Sequence, residues 1–186
     1  MFTLNLKFKM NCNFIPFPVL ESERLVLRAL EISDAKSIFS LRTNKEVNTF
    51  IRRDLFKNLS ESRAFIDFTT NLALDGSGVF WGIATKETDE IIGSIGLRNF
   101  DSEKDYAEIG YDLHPNYQEK GFMSEAFQMI LEFAFQKMDL KAIEAFTHKN
   151  NSASIALLEK HAFELQKERK DIGFENNRIF RLENHA

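Results

Sequence analysis

Glu23-Arg24-Leu25-Val26-Leu27-Arg28 ends in the polar/apolar alternation of a half-buried strand, and Ser33-Asp34 then offers cap chemistry for a helix carrying Ile38, Phe39 and Leu41. Ser60-Glu61-Ser62-Arg63 predicts the start of a second helix, with Phe65, Ile66, Phe68 and Leu72 at helical spacing and an end at Asp75-Gly76. Three strands are expected next, Val79 to Thr85, Ile91 to Phe100 and Tyr106 to Leu113, separated by the polar turns 86–89 and 101–104. Turns that short imply antiparallel neighbours. From Gly121 to about Met138 the period changes, and Phe127, Ile130, Leu131, Ala134 and Met138 form one helical stripe. Lys141 to Thr147 reads as a strand, Asn151 to His161 as a helix, and Phe163 to Lys170 and Asn177 to Leu182 as two last strands. The order β-α-α-β-β-β-α-β-α-β-β predicts an α/β (α+β) domain, a mixed sheet flanked by helices.

Length and charge narrow the function classes. The 186 residues, 44% hydrophobic and 28% charged, suit one domain whose core needs no disulfide or metal staple. No repeat or linker interrupts the chain, so a single domain is expected over 18–186, preceded by an extension over 1–17. The formal charge of −4 offers no basic excess for nucleic-acid binding. Cys12 is the only cysteine, which excludes an internal disulfide and a thiolate metal site. The four histidines, His114, His148, His161 and His185, lack metal-ligand spacing, so no metal is expected. With no membrane-length apolar run and no signal-peptide pattern in the first seventeen residues, the expectation is a cytoplasmic protein with no membrane partner.

The segment richest in chemistry runs from Tyr106 through Ala126, a strand feeding by a short loop into the longest helix. Free amides and the positive dipole end at a helix start bind anions, and Gly121 lets a ligand approach the backbone. A lone glycine in this position also serves as an ordinary turn, so spacing leaves both readings open. On the strand, Glu108 shares a face with Gly110 and Asp112, opposite Ala107, Ile109, Tyr111 and Leu113. Its carboxylate suits a general base or an ion-pair partner. Asn151 or Ser152 caps the following helix, with Ser154 beside that cap.

As a whole, Gln118-Glu119-Lys120-Gly121-Phe122-Met123 resembles the acetyl-CoA signature Gln/Arg-x-x-Gly-x-Gly/Ala of the GNAT superfamily of N-acetyltransferases. Four further stretches resemble its RimJ/RimL-type branch: Glu23 to Arg28, Glu108-Ile109-Gly110-Tyr111, Ser124-Glu125-Ala126, and Asn151-Ser152-Ala153-Ser154 leading to Leu158-Glu159-Lys160-His161-Ala162-Phe163. The resemblance covers roughly residues 19 to 183 and implies the GNAT fold, with a central, mostly antiparallel sheet. It implies acetyl-CoA as cosubstrate, splayed between two central parallel strands. Cofactor contacts would come from Leu113, His114, Gln118, Glu119, Lys120, Gly121, Phe122, Met123, Ser124 and Asn151. Glu108 would be the base and Ser154 the acid toward the leaving thiolate, with Tyr111 and Tyr117 as substitutes. Met123 stands where the family has a small residue, and Ala162 where it has glycine.

The acceptor implied is a primary amine, either a protein N-terminus or a small molecule such as an amino acid, polyamine or antibiotic. A non-catalytic acyl-CoA-binding module is the reading from a different class. Acceptor contacts are expected from the poorly patterned stretch Asn44 to Leu59, and the branch is compatible with a homodimer. The net charge favours cationic acceptors, which Arg52 and Arg53 offset. Phe50, Phe56, Trp81 and Phe100 are candidates for the acceptor pocket, with core packing the alternative role.

Overall fold

The computed structural model describes residues 12–101 and 105–184. The elements run β1 (Leu20–Glu21), β2 (Leu25–Arg28), α1 (Ala35–Thr43), α2 (Leu59–Asp75), β3 (Gly78–Thr85), β4 (Ile91–Asp101), β5 (Tyr106–Leu113), α3 (Phe122–Gln136), β6 (Ala142–His148), α4 (Ser152–Lys160), β7 (Glu164–Leu165) and β8 (Asn177–Glu183). One eight-stranded sheet has the order β1-β2-β3-β4-β5-β6-β8-β7. Every neighbouring pair is antiparallel except β5 and β6.

Local chemistry sets the boundaries. Asn58, not Ser60, caps α2, its side chain accepting from the amides of Ser60 and Glu61, and Gly76 closes the helix at φ 73°. Asp34 accepts the Glu31 amide at 2.7 Å and both ends of the Arg28 guanidinium, fixing β2 to the turn before α1. The strand expected over 163–170 shrinks to Glu164–Leu165, because the chain then turns through 167–168 and Arg169 reaches back to Glu144.

The sheet's two faces have different covers. On one, Trp81, Ile95, Leu97, Ile109 and Tyr111 pack beneath α3, with Phe127 edge-on to Tyr111 at 5.2 Å and Phe133 edge-on to Trp81 at 5.5 Å. On the other, Ile38, Leu41 and Ile66 of α1 and α2 close over Leu30, Ala84 and Ile91. The core reaches ahead of residue 18: Phe14 is 1% exposed, packed against Phe100 at 6.0 Å, and the Trp81 indole donates to the Pro18 carbonyl at 2.6 Å. Residues 1–11 of the expected extension, and His185, lie outside the described residues.

Candidate active site

The parallel pair is the feature around which the site is built. β5 and β6 are in register only at Tyr106/Ala142, Ala107/Ile143 and Glu108/Glu144; beyond them both strands continue without pairing to each other. The opened edges carry backbone donors and acceptors. Because the His114 amide turns to the Ile92 carbonyl of β4 at 2.8 Å, strand alternation directs Leu113, Tyr111 and Ile109 toward the opening. The Gln118 side chain donates from Nε2 to the Leu113 carbonyl at 2.9 Å, in keeping with that direction. An extended chain of amides, such as a pantetheine arm, fits this unpaired edge.

At the end of β5 lies the loop expected to hold the pyrophosphate. Gly121 precedes α3 at φ 82°, and Glu119 also lies in the left-handed region at φ 59°. Among the described residues no carbonyl accepts from the amides of Glu119 through Ser124, the donor set an anion needs. A Cβ on Gly121 would meet only Arg24 Nη2, at 3.5 Å. Met123 leaves this cradle free, since its side chain packs toward the main core. Arg24 organises the loop from β2's approach: its Nη1 donates to the Lys120 carbonyl at 3.0 Å, its Nε to Glu125 Oε2 at 2.7 Å, and its guanidinium lies 4.3 Å from the Phe122 ring centre. Burial pushes the Glu125 carboxyl up, but hydrogen bonds from Ser22 and Arg24 and the Arg24 charge outweigh it and hold Glu125 below the ordinary range. The Lys120 ammonium donates to the Asn116 carbonyl at 2.7 Å.

His114 serves the loop differently from the sequence expectation. Its amide is taken by β4, its carbonyl accepts from Tyr117 at 2.9 Å, and its Nδ1 accepts the Asn116 amide at 3.3 Å. With its backbone used inside the chain, His114 stiffens the turn and leaves the open edge to Leu113.

The opening separates two sets of polar groups. On the α3/α4 face, the Tyr111 and Ser154 hydroxyls are 2.8 Å apart, while Asn151 Oδ1 accepts the Ser154 amide at 3.1 Å and so caps α4. Burial pushes the Tyr111 hydroxyl up to about 12, the Ser154 hydrogen bond offsetting part of the shift. On the opposite face stands Glu108, whose Oε2 accepts from Asn99 Nδ2 at 2.8 Å with Arg98 Nε at 3.7 Å. An irregularity in the β4/β5 ladder between Arg98 and Asp101, with Asn99 at φ 52°, brings that amide to the carboxylate. Beside Glu108, a Cβ built on Gly110 would meet nothing within 4 Å, so the sheet surface there is open.

Several residues of this face have partners that the sequence reading did not anticipate. Asp112 is 7% exposed and is held by Arg53 at 2.9 Å and by the Ser94 hydroxyl at 2.7 Å. Burial raises its carboxyl, but the charges of Arg42 and Arg53 and these hydrogen bonds prevail and keep it below the usual carboxylate range. Glu144, 1% exposed, is held by both Arg169 and Arg181 and is likewise kept low, its burial outweighed by those two partners. A carboxylate inside an otherwise apolar strand was the available signal, because burying one demands a cation. Residues 44–58 do reach this face: Arg53 binds Asp112, and Phe50 stacks on His148 at 5.3 Å. Trp81 and Phe100 belong to the core, and Phe56 packs with Phe65 at 6.3 Å. Tyr117 bonds Glu90 at 3.1 Å, on the β4 side of the loop. No group of three metal-ligating side chains occurs among the described residues, and no helix there is long and apolar enough to cross a membrane.

The model of the acetyltransferase (GNAT) domain matches residues 24–164. A protein of Bacillus licheniformis named uncharacterized N-acetyltransferase p20 is 38% identical over 145 residues, 78% of this chain and 82% of that protein. Among solved structures, RimL, an alpha-N-protein acetyltransferase in complex with coenzyme A, superposes with TM-score 0.78 at 19% identity, over 89% of this chain and 98% of that one. The ribosomal-protein-S5-alanine acetyltransferase of Vibrio fischeri does so with TM-score 0.77 at 21% identity, over 91% and 98%. Those two likenesses show a shared fold. With the family model spanning most of the sheet and the curated relative most of the chain, this protein belongs to the GNAT family and is an N-acetyltransferase.

Proposed function

We propose that the protein moves the acetyl group of acetyl-CoA directly to the uncharged α-amine of an acceptor, with Glu108 taking the amine proton and the Tyr111–Ser154 pair serving the leaving sulfur. The observation that carries this reading is the unpaired stretch of β5 and β6, with Glu108 on one face and the two hydroxyls on the other. A thioester held along the open edge has its carbonyl between them, so no covalent enzyme intermediate is needed. The amides of Glu119 through Ser124 take the pyrophosphate, and Gln118, Gly121 and Phe122 shape that loop. Asn151 holds Ser154 in place.

The two ends of the reaction make different demands. An α-amine near 7.7–8.0 surrenders its proton far more readily than a lysine near 10.4, which suits a carboxylate base with two polar neighbours. At the other end, Tyr111 with its hydroxyl near 12 is a weaker acid than a thiol of about 8.5. It therefore stabilises the developing thiolate by hydrogen bonding through Ser154, and solvent supplies the final proton. The names of the RimL and Vibrio fischeri neighbours, both protein acetyltransferases and RimL an alpha-N one, support an α-amine acceptor. A small amine is the second reading, favoured by one contact: Arg52 lies 5.1 Å from the Phe174 ring centre and meets the Gly173 carbonyl at 3.5 Å, tying the connection after α1 to the one before β8.

The test is the rate of CoA release from acetyl-CoA with short peptides and free amines. Glu108→Gln should lower kcat by about 100-fold or more while leaving acetyl-CoA affinity within about twofold. Tight acetyl-CoA binding without turnover of any amine would reduce the protein to an acyl-CoA-binding module.

A further inference from the structure

The face that carries Glu108 has positive charge in excess where the chain as a whole is acidic. Both of its buried carboxylates lie in the field of two guanidiniums: Asp112 contacts Arg53 at 2.9 Å and also feels the charge of Arg42, and Glu144 contacts Arg169 and Arg181. Glu108 itself has Arg98, and of these arginines only Arg181 has a further acidic partner, Glu183 at 2.6 Å, among the described residues. Arg42 is 9% exposed and lies 4.0 Å from the Phe65 ring centre, with no acceptor for its guanidinium among the described residues. Carboxylate pairing accounts for one guanidinium at Asp112, and the second is left over.

Arg53 presents that surplus to the site. Its Nε donates to Asn48 Oδ1 at 2.5 Å and its Nη2 to Asp112 Oδ2 at 2.9 Å, while Nη1 has no acceptor among the described residues. Two anchors on one edge fix the planar fork and leave its other edge ready for a carboxylate or phosphate. Gly110, two residues before Asp112 on the same face of β5, leaves the sheet surface open beside this pair. At about 3.3 Å per residue, Glu108 and Asp112 stand roughly 13 Å apart along the strand with Gly110 midway, which leaves about 5–7 Å from an amine over Gly110 to an anion at Arg53.

We infer that the acceptor's α-amine comes with an anionic group, a carboxylate or a phosphate, about 5–7 Å from the nitrogen, and that Arg53 receives this group while Glu108 receives the amine proton. The inference rests on the acetyl-transfer reading above. Polyamines and other polycations are then disfavoured acceptors, whatever the overall charge of −4. Peptides beginning with an acidic residue and small amines bearing phosphate share the required chemistry.

The experiment compares matched acceptors by rates of CoA release: Glu-Gly amide against Gln-Gly amide, phosphoserine amide against serine amide, and spermidine as the cation. The anionic member of at least one pair should be favoured about 10- to 100-fold in kcat/KM, chiefly through KM, and which pair responds identifies the source of the charge. Arg53→Met should bring that ratio to within about twofold, and Arg53→Lys should restore part of it; the neutral member's rate in each variant controls for loss of fold. Equal or better use of the neutral or cationic acceptors, or a preference that survives Arg53→Met, overturns the inference. Calorimetry with acetyl-CoA separates the two failures: binding with turnover only of neutral amines removes the anion site and leaves the transferase, whereas no binding removes both.

Discussion

Ala162 sits at φ 60°, between the C-terminal end of α4 and the buried Phe163, in a conformation its Cβ disfavours by about 1 kcal/mol. The family resemblance has glycine at this turn, and the backbone angle supplies the reason. Ala162→Gly should stabilise the protein by up to about 1 kcal/mol, a rise of roughly 2–4 °C in the thermal midpoint read by calorimetry. Glu144 is a larger test of the same scale. Glu144→Ala leaves Arg169 and Arg181 without the carboxylate they share, so a loss of about 3 kcal/mol in urea unfolding is expected, near the low end for broken buried pairs because both guanidiniums reach solvent. Some of these residue roles could be read in advance. Glu108 was visible because strand alternation separates it from its apolar neighbours. Its partner Asn99 was not, because a ladder irregularity between two strands has no signature in either strand's own pattern. The pairing of Arg53 with Asp112, and of Glu144 with Arg169 and Arg181, escaped for a related reason: these residues are ordinary locally, and their meaning comes only from the charge each one meets.

At the scale of elements, periodicity predicted the order of the main strands and helices, and the two-residue strands β1 and β7 mark its limit. Strands that short are held by partners more than by their own sequence, and β7 ends where Gln166 takes the Ile179 carbonyl at 2.8 Å. The opening between β5 and β6 lay beyond any pattern, since pairing is lost through the divergence of two well-formed strands. Two stretches singled out by resemblance, Glu23 to Arg28 and Ser124 to Ala126, prove to be joined by the Arg24–Glu125 pair, which ties the loop before α3 to the approach of β2. Glu125→Gln should therefore raise the acetyl-CoA dissociation constant about 3- to 10-fold by calorimetry with little change in the unfolding midpoint, an exposed pair contributing little to stability itself.

The other anchor of α3 titrates. Ser124 Oγ lies 2.9 Å from His161 Nε2 at the end of α4. Burial, aided by the Lys160 charge, holds His161 below the ordinary imidazole range. The unfolded state then binds more protons than the folded state as pH falls below about 6.5, so stability declines on acidification through that interval and is regained above it. His161→Asn keeps a polar side chain without a titrating group, and its thermal midpoint should fall less steeply between about pH 6.5 and 5 than that of the wild type.

For the whole molecule, one sheet supplies a separation that no single motif contains. Helices α3 and α4 bring the loop before α3 and Ser154 to one face, the connection after α1 brings Arg53 and Phe50 to the other, and the unpaired edge of β5 lies between. The family and its fold were legible because the motifs fall in order along elements that periodicity had already placed. The acceptor was not, because the irregular stretch 44–58 that reaches the Glu108 face has its place over the sheet decided by tertiary packing.

The claim on which everything else depends is that acetyl-CoA lies along the opened edge of β5 and on the loop before α3. Backbone amide resonances recorded during titration with acetyl-CoA test it directly. The largest shifts should fall on Ile109, Tyr111, Leu113 and Glu119 through Ser124, with smaller ones at Asn151 and Ser154. Shifts centred on β1 to β3 or on α2, with these amides unmoved, would contradict it.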